Sequence, residues 1–385
     1  MKNSAPFKTT PLRICEKASI SVLDAWQKPS ALAAKRSVYS GRRVNFFGRT
    51  SILSVVDATH DSSCSAADPQ WFEQTYLIGG TMITTTYNYQ ETLAASVKAN
   101  WRVEDIIGGD KRLDFTKPFM PDSLGRVNSF EFLSSDEKIL LNQIRGYGYL
   151  YTFGLVEEFI LPFVLDHVRP HLNEDDYRTR ALLQFAGEEA KHIQLFRKFA
   201  EEFKEGFVTS CETIGPAEEI GKAVLSHGPL GVALIILGIE WATQQHYLES
   251  IRDDDELDPQ FKSLLRHHWI EEAQHTKLDT LMLQVLTDNL TEADIEKGVS
   301  DYASIGGLFD GGLKQQVEFD MQALQRATGR ILNKSEQARF RSIQLQALRW
   351  TYLGSAMTHP KFLATVGEFS PGARRQIEEM APAFS

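Results

Sequence analysis

The sequence predicts a mainly α-helical protein built on a four-helix bundle. Two observations carry this. From residue 134 onward the chain resolves into four long stretches with helical periodicity, separated by recognisable caps and breakers. The connections between them are short or moderate, as antiparallel helix neighbours require. The first and third stretches also hold glutamates in apolar surroundings, while the second and fourth each hold Glu-x-x-His.

Up to about residue 130 the pattern is mixed. Candidate strands or extended pieces (RVNFF, TSILSVV, YLIGGTMITTTYNY) alternate with Ser, Asp, Gly and Pro breaks. This part is read as an N-terminal extension, residues 1–130, ahead of a bundle domain over 131–385. Its first 45 residues carry nine Lys/Arg against Glu16 and Asp24. They are read as a basic arm against an acidic body rather than as an organelle transit peptide.

The first long helix, residues 134–168, opens on the Ser/Asp signal SSDE and stops before Pro170. The second, 173–206, opens on NEDD and stops at Gly206. The third, 229–252, follows the breaker SHGP and runs into RDDDELDP; the fourth, 258–289, starts at once with DPQF. Shorter C-terminal helices follow, one before the ATG at 327–329 and one over about 335–357, with HPKF and SPGARR as breaks.

Bulk properties limit the function classes. The 385 residues contain 41 Lys+Arg and 51 Asp+Glu, a net charge of −10, which repels phosphate backbones and argues against nucleic acid as a partner. Three scattered cysteines, Cys15, Cys64 and Cys211, give neither a disulfide framework nor a thiolate zinc site and fit a reducing cytoplasm. The richest apolar run, GVALIILGIEW, is about half of what a bilayer needs and contains Glu240, so no membrane span is expected. The glycines of IGGLFDGG follow no strand, so no dinucleotide fingerprint is present.

Candidate chemistry sits on the four helices. Glu189 and His192 in GEEAKH, and Glu272 and His275 in EEAQH, are spaced i, i+3 and so share a helical face. Glu240 stands between LIILGI and WA, where a lone carboxylate would suffer desolvation. The first helix offers the adjacent Glu157 and Glu158. Polar Asn142, Arg145, Thr152 and His167 trace one stripe, and Tyr147, Tyr151, Leu155, Glu158, Leu161 and Leu165 the opposite one, so Glu158 is expected to point inward. Pro162 should kink the helix beside it. In RHHWIEEAQH, residues 266–275, His268 lies at i relative to Glu272 (i+4) and His275 (i+7), on the same inward face; His267, Glu188 and Glu271 are rotated about 100° away. Carboxylates offset the charge of two close cations, while imidazoles hold each metal and leave positions open. Two Glu helices and two Glu-x-x-His helices therefore predict a two-metal site, with manganese as an alternative to iron.

A ferritin-like di-iron bundle needs only two histidines. The third, in H-x3-E-x2-H, resembles the p-aminobenzoate (arylamine) N-oxygenase family, over roughly residues 135–290. That resemblance implies a ferritin-like bundle with seven metal ligands: Glu158, Glu189, His192, Glu240, His268, Glu272 and His275. It implies two iron ions, O2 as co-substrate, and an amine oxidised to hydroxylamine, nitroso or nitro product through a peroxo-diferric species. Electrons would come from an external reductase or ferredoxin. The other readings of the same site are C–H hydroxylation, desaturation or other oxidation of a small or carrier-bound acyl substrate, and a non-catalytic iron-binding protein. Tyr147, Tyr151, Phe153 and Trp241 are candidate pocket aromatics, and bundle proteins of this kind often form homodimers.

Overall fold

Ser134 starts the first bundle helix. Its hydroxyl accepts from the Glu137 backbone while the Glu137 carboxylate accepts from the Ser134 backbone, a reciprocal cap that satisfies two otherwise orphaned donors. In the computed structural model, which describes residues 87–173 and 176–384, this helix is α2 (Ser135–Val168), preceded by α1 (Tyr89–Ala99). It is followed by α3 (Asp176–Gly206), the short α4 (Ala217–Leu225), α5 (Pro229–His246), α6 (Pro259–Thr287) and α7 (Glu292–Thr328). Then come α8 (Lys334–Arg349), α9 (Pro360–Phe369) and α10 (Pro371–Met380). The described residues contain no strand, only an isolated bridge between Gly108 and Lys111. Of the candidate strands, those at 43–47 and 50–56 and most of 76–89 lie outside the described residues; the end of the last enters α1 at Tyr89 behind an Asn88 cap.

Helices α2, α3, α5 and α6 form the bundle: α2 pairs with α3, α5 with α6, and α3 with α6. Helix α7 packs on α5 and α2 from one side, and α1 covers α3 and α6 from the other. Residues 87–385 form one unit, so the segment from Tyr87 to 130 packs with the bundle helices. Asp258 shows how. Its side chain caps α6 at the Phe261 amide and also accepts from the Asp114 amide, while its own amide donates to Pro118 (2.8 Å).

Two helices depart from regular α geometry. Helix α5 is followed by a π-helical turn, Tyr247–Ile251, and α8 by another, Trp350–Gly354, within stretches the sequence reads as continuous helix. Helix α2 is the one described helix long and apolar enough to cross a membrane, with mean hydropathy 1.3 over its best window, but 67% of that window is buried inside the bundle. It meets neighbours on several sides over its middle, which is why its apolar content exceeds that of a one-faced helix.

Close approach of α5 and α7 depends on glycine. A Cβ on Gly231 would lie 2.5 Å from the Asp301 Cβ and 3.0 Å from the Tyr302 amide nitrogen. Backbone cannot yield cheaply, so Gly231→Ala should destabilise the metal-free protein by about 1–3 kcal/mol. Gly307, on the same α7 but with nothing near its Cβ direction, should instead gain roughly 0.5–1 kcal/mol as Gly307→Ala. Denaturant unfolding of the two variants checks both signs.

Candidate metal centre

At the middle of the bundle, residues from four helices converge. Glu157 (α2), His192 (α3), His268 and Glu272 (α6) offer ligand atoms that all lie within 4.8 Å of one another. Glu189 and His192 (α3) with Glu272 and His275 (α6) do the same, so His192 and Glu272 belong to both groups. All of these side chains are buried. Glu240 (α5) is buried against Glu272, with which it shares a hydrogen bond.

The geometry corrects the choice on α2. Glu157 faces the cluster, 2.9 Å from His268 Nε2, whereas Glu158 points out and pairs with Arg197 at 2.7 Å. The helical stripe misled because Asn142, Arg145 and Thr152, used to mark the outside, are themselves buried. Asn142 binds the Phe119 and Met120 backbone, Arg145 the Leu124 carbonyl, and Thr152 the Gly148 carbonyl. On a helix covered on several sides, polar residues mark internal hydrogen bonds rather than solvent.

Two of the three histidines are each held by a carboxylate from the opposite helix. His192 Nε2 donates to Glu271 (2.8 Å), and His275 Nε2 donates to Glu188 (3.0 Å). This leaves both Nδ1 atoms facing the cluster: His192 Nδ1 lies 3.0 Å from Glu272, and His275 Nδ1 lies 2.9 Å from Glu189. Glu271 is in turn bonded by Lys191, and Glu188 by Ser96 of α1 and by Gln184. The two carboxylates rotated away from the inward line are thus buried, and fix ring orientation and tautomer. Trp101 stacks on His192 (centroids 5.7 Å apart, planes at 15°), and the Lys191 ammonium lies over the Trp101 ring, 4.2 Å from its centroid. His267 bonds the Ser263 carbonyl and packs edge-on to Trp101. Of the candidate pocket aromatics only Phe153 touches the cluster, stacking on His268 at 5.4 Å; Trp241 stacks on His359, and Tyr147 on Phe203.

The donor set fits two cations. One oxygen each of Glu157 and Glu189 is buried without a hydrogen-bond partner among the described residues. Four carboxylates (Glu157, Glu189, Glu240, Glu272) meet there, a charge that two divalent ions would neutralise. Protons take that role without metal. Burial, with Glu189 and Glu272 nearby, holds the Glu157 carboxyl well above its usual range; burial and Glu272 do the same to Glu240. Burial alone would lower His192, but Glu271 and Glu272 outweigh it and push the imidazole up to about 9. Sequence reading missed Asp279, which continues the line of His268, Glu272 and His275 by one more turn; it is buried with both oxygens unpartnered, and burial holds its carboxyl well above the usual range.

The family model described as P-aminobenzoate N-oxygenase AurF matches residues 89–298, more than half of the chain. The chain belongs to that family. It is accordingly an oxidoreductase, a di-iron oxygenase. No curated protein matches it. Solved structures of an R2-like ligand-binding oxidase are similar at low identity. One variant with an aerobically reconstituted Fe/Fe cofactor is 14% identical over 70% of this chain and 94% of its own, with a TM-score of 0.40. Another, with an anaerobically reconstituted Mn/Fe cofactor, is 14% identical over 74% and 98%, with a TM-score of 0.41.

Two expectations follow for this family member. Glu157→Ala should reduce the metal content of the loaded protein, while Glu158→Ala should leave it at the wild-type value; elemental analysis decides, and the reverse result would return Glu158 to the site. Metal entry must also displace protons from imidazoles that are charged in the metal-free state. Manganese affinity should therefore rise with pH towards 9, the value to which His192 is raised. A raised folded-state imidazole stabilises the metal-free protein below about 6.5 and loses that contribution as pH climbs through 9. The increase in Tm on adding manganese should thus grow between these pH values, and a pH-independent increase would contradict the assignment.

Proposed function

We propose that the chain is an O2-dependent N-oxygenase. It oxidises the nitrogen of a small amine to hydroxylamine and on to nitroso or nitro product, with electrons from a separate donor. The observation that carries this reading is the placement of His268. It adds a third imidazole to the four-carboxylate cluster, 2.9 Å from Glu157 and 2.8 Å from Glu272, in a chain whose family is described by N-oxygenation.

Glu157, Glu189, His192, Glu240, His268, Glu272 and His275 are the proposed ligands. Bound iron supplies the redox chemistry with O2. The protein's own groups then have distinct tasks. Glu272 reaches His192, His268 and His275, and so links the two halves of the site. Glu188 and Glu271 keep the Nδ1 lone pairs aimed inward, and the buried surroundings exclude the water that would screen these charges. The mixed set of carboxylate and imidazole donors suits iron or manganese.

The test is turnover of iron-loaded protein with O2 and a chemical reductant, offered aryl amines and acyl substrates side by side. Mass spectrometry should find amine products carrying added oxygen and unchanged acyl compounds. Oxidation of the acyl substrates alone would overturn N-oxygenation while leaving the oxygenase intact. His268→Ala should retain at least one metal yet lose N-oxygenation, with a loss of at least about 10–100-fold, the range seen when groups orienting a metal ligand are removed. Unchanged spectra and turnover would remove His268 from the ligand set.

A further inference from the structure

Asp279 stands one turn beyond His275 on α6, and no contact within the fold accounts for it. It is 3% exposed, and neither carboxylate oxygen has a hydrogen-bond partner among the described residues. Buried carboxylates are ordinarily paired or hydrogen-bonded, because leaving one uncompensated costs stability.

Its surroundings supply no donor. The Thr276 hydroxyl is turned to the Ala273 carbonyl and the Thr280 hydroxyl to the Thr276 carbonyl. Helices α3 and α5 both run antiparallel to α6. His192 meets Glu271 while Glu188 meets His275, and Gln244 bonds the Trp269 carbonyl while Glu240 meets Glu272. That register brings Leu182 and Phe185 of α3 and Ala233 and Ile236 of α5 to the level of Asp279, with Met282 and Leu283 in the next turn of α6. All six are buried and apolar. The charged groups that Asp279 feels are Glu189, Glu240, Glu272 and His275, every one a proposed ligand.

Helical geometry turns Asp279 the same way. His268, Glu272, His275 and Asp279 lie at i, i+4, i+7 and i+11, within about 60° of one another around the helix. Helix α3 repeats the spacing with Phe185, Glu189, His192 and Phe196. Because the two helices are antiparallel, Phe196 lies against His268 at one end of the cluster (ring centroids 5.0 Å apart) and Phe185 against His275 towards the other (4.1 Å). Each end thus takes an aromatic ring from α3 and a polar group from α6, an imidazole at one end and a carboxylate at the other. Of the two groups of converging ligand atoms, the one with Glu157 contains His268, and the one with Glu189 and His275 lies towards Asp279.

We propose that Asp279 is an eighth metal-binding residue, an oxygen donor to the position beside Glu189 and His275, directly or through one water. The centre then has an imidazole-rich end at His268 and a carboxylate-rich end at Asp279. Added oxygen donors suit manganese, whereas imidazole suits iron, so the two positions differ in the cation they favour. The assignment rests on the ligand set proposed above and is independent of N-oxygenation.

Manganese is the probe. In wild-type crystals soaked with manganese, the ion beside Glu189 and His275 should be bonded to an Asp279 oxygen or to a water that Asp279 holds. An Asp279 that touches neither the ion nor its waters would overturn the proposal. Calorimetric titration of the metal-free protein supplies a second measure. Asp279→Asn, equal in size but uncharged, should weaken one of two manganese sites about 10–100-fold and leave the other at its wild-type affinity. Wild-type affinity at both sites would overturn the assignment. Melting separates binding from support of the fold: the metal-free variant should melt no lower than wild type, while the manganese-induced rise in Tm shrinks. A lower metal-free Tm with unchanged manganese affinity would make Asp279 a structural residue. Wild-type protein that takes up fewer than two manganese ions would overturn the ligand set itself, and this assignment with it.

Discussion

Mutual repulsion among Glu157, Glu189, Glu240 and Glu272 is the constraint on which the rest of the structure depends. Each comes from a different bundle helix, and each is buried. Four ionised carboxylates cannot share an interior without counter-charge, because desolvation and like-charge repulsion act in the same direction. Protons on the carboxyls and imidazoles relieve this in the metal-free protein; two divalent cations relieve it when metal is bound. Helix packing therefore holds in place a charge set whose preferred partners are metal ions, and the hydrophobic contacts around it must oppose the tendency of the four helices to separate.

Reciprocal bracing keeps that set in register. Helix α3 carries Glu188 beside Glu189, and α6 carries Glu271 beside Glu272. In each pair one carboxylate faces the cluster and the other crosses to orient the opposite helix's histidine. A rotation of either helix would break a ligand contact and a supporting hydrogen bond together. Covering by α1 completes the arrangement, since Ser96 holds Glu188 and the following Trp101 lies flat against His192. The segment ahead of the bundle is in this way part of the centre's support.

Much of this was legible from spacing, and the exceptions have physical reasons. Two Glu-x-x-His pairs and a glutamate between LIILGI and WA announce the bundle and its chemistry, because the i, i+3 rule survives any tertiary context. Glu157 against Glu158 was not legible, since α2 is buried on several sides and buried Asn142, Arg145 and Thr152 give a false outer face. The roles of Glu188 and Glu271 depend on which helix lies opposite, which no local pattern contains. Asp279 did leave a signal, falling within about 40° of Glu272 and His275 on the same helical line. The π-helical turns left none, because both follow uninterrupted helix-forming sequence.

The centre has two unlike sides, and its chemistry needs both. Towards α1 lie Lys191, Glu271, Glu188 and Ser96, a hydrogen-bonded layer that compensates charge and orients the imidazoles. Towards α7 lie Phe153, Val156 and Ile239, which offer no polar side-chain atom at all. If polar groups surrounded the cluster on every side, water would compete for the open metal positions and screen the carboxylates. An apolar surround throughout would leave the buried charges without orientation or balance. Dividing the surroundings lets ionic support enter from one side while the other presents the aromatic and aliphatic faces of Phe153, Val156 and Ile239.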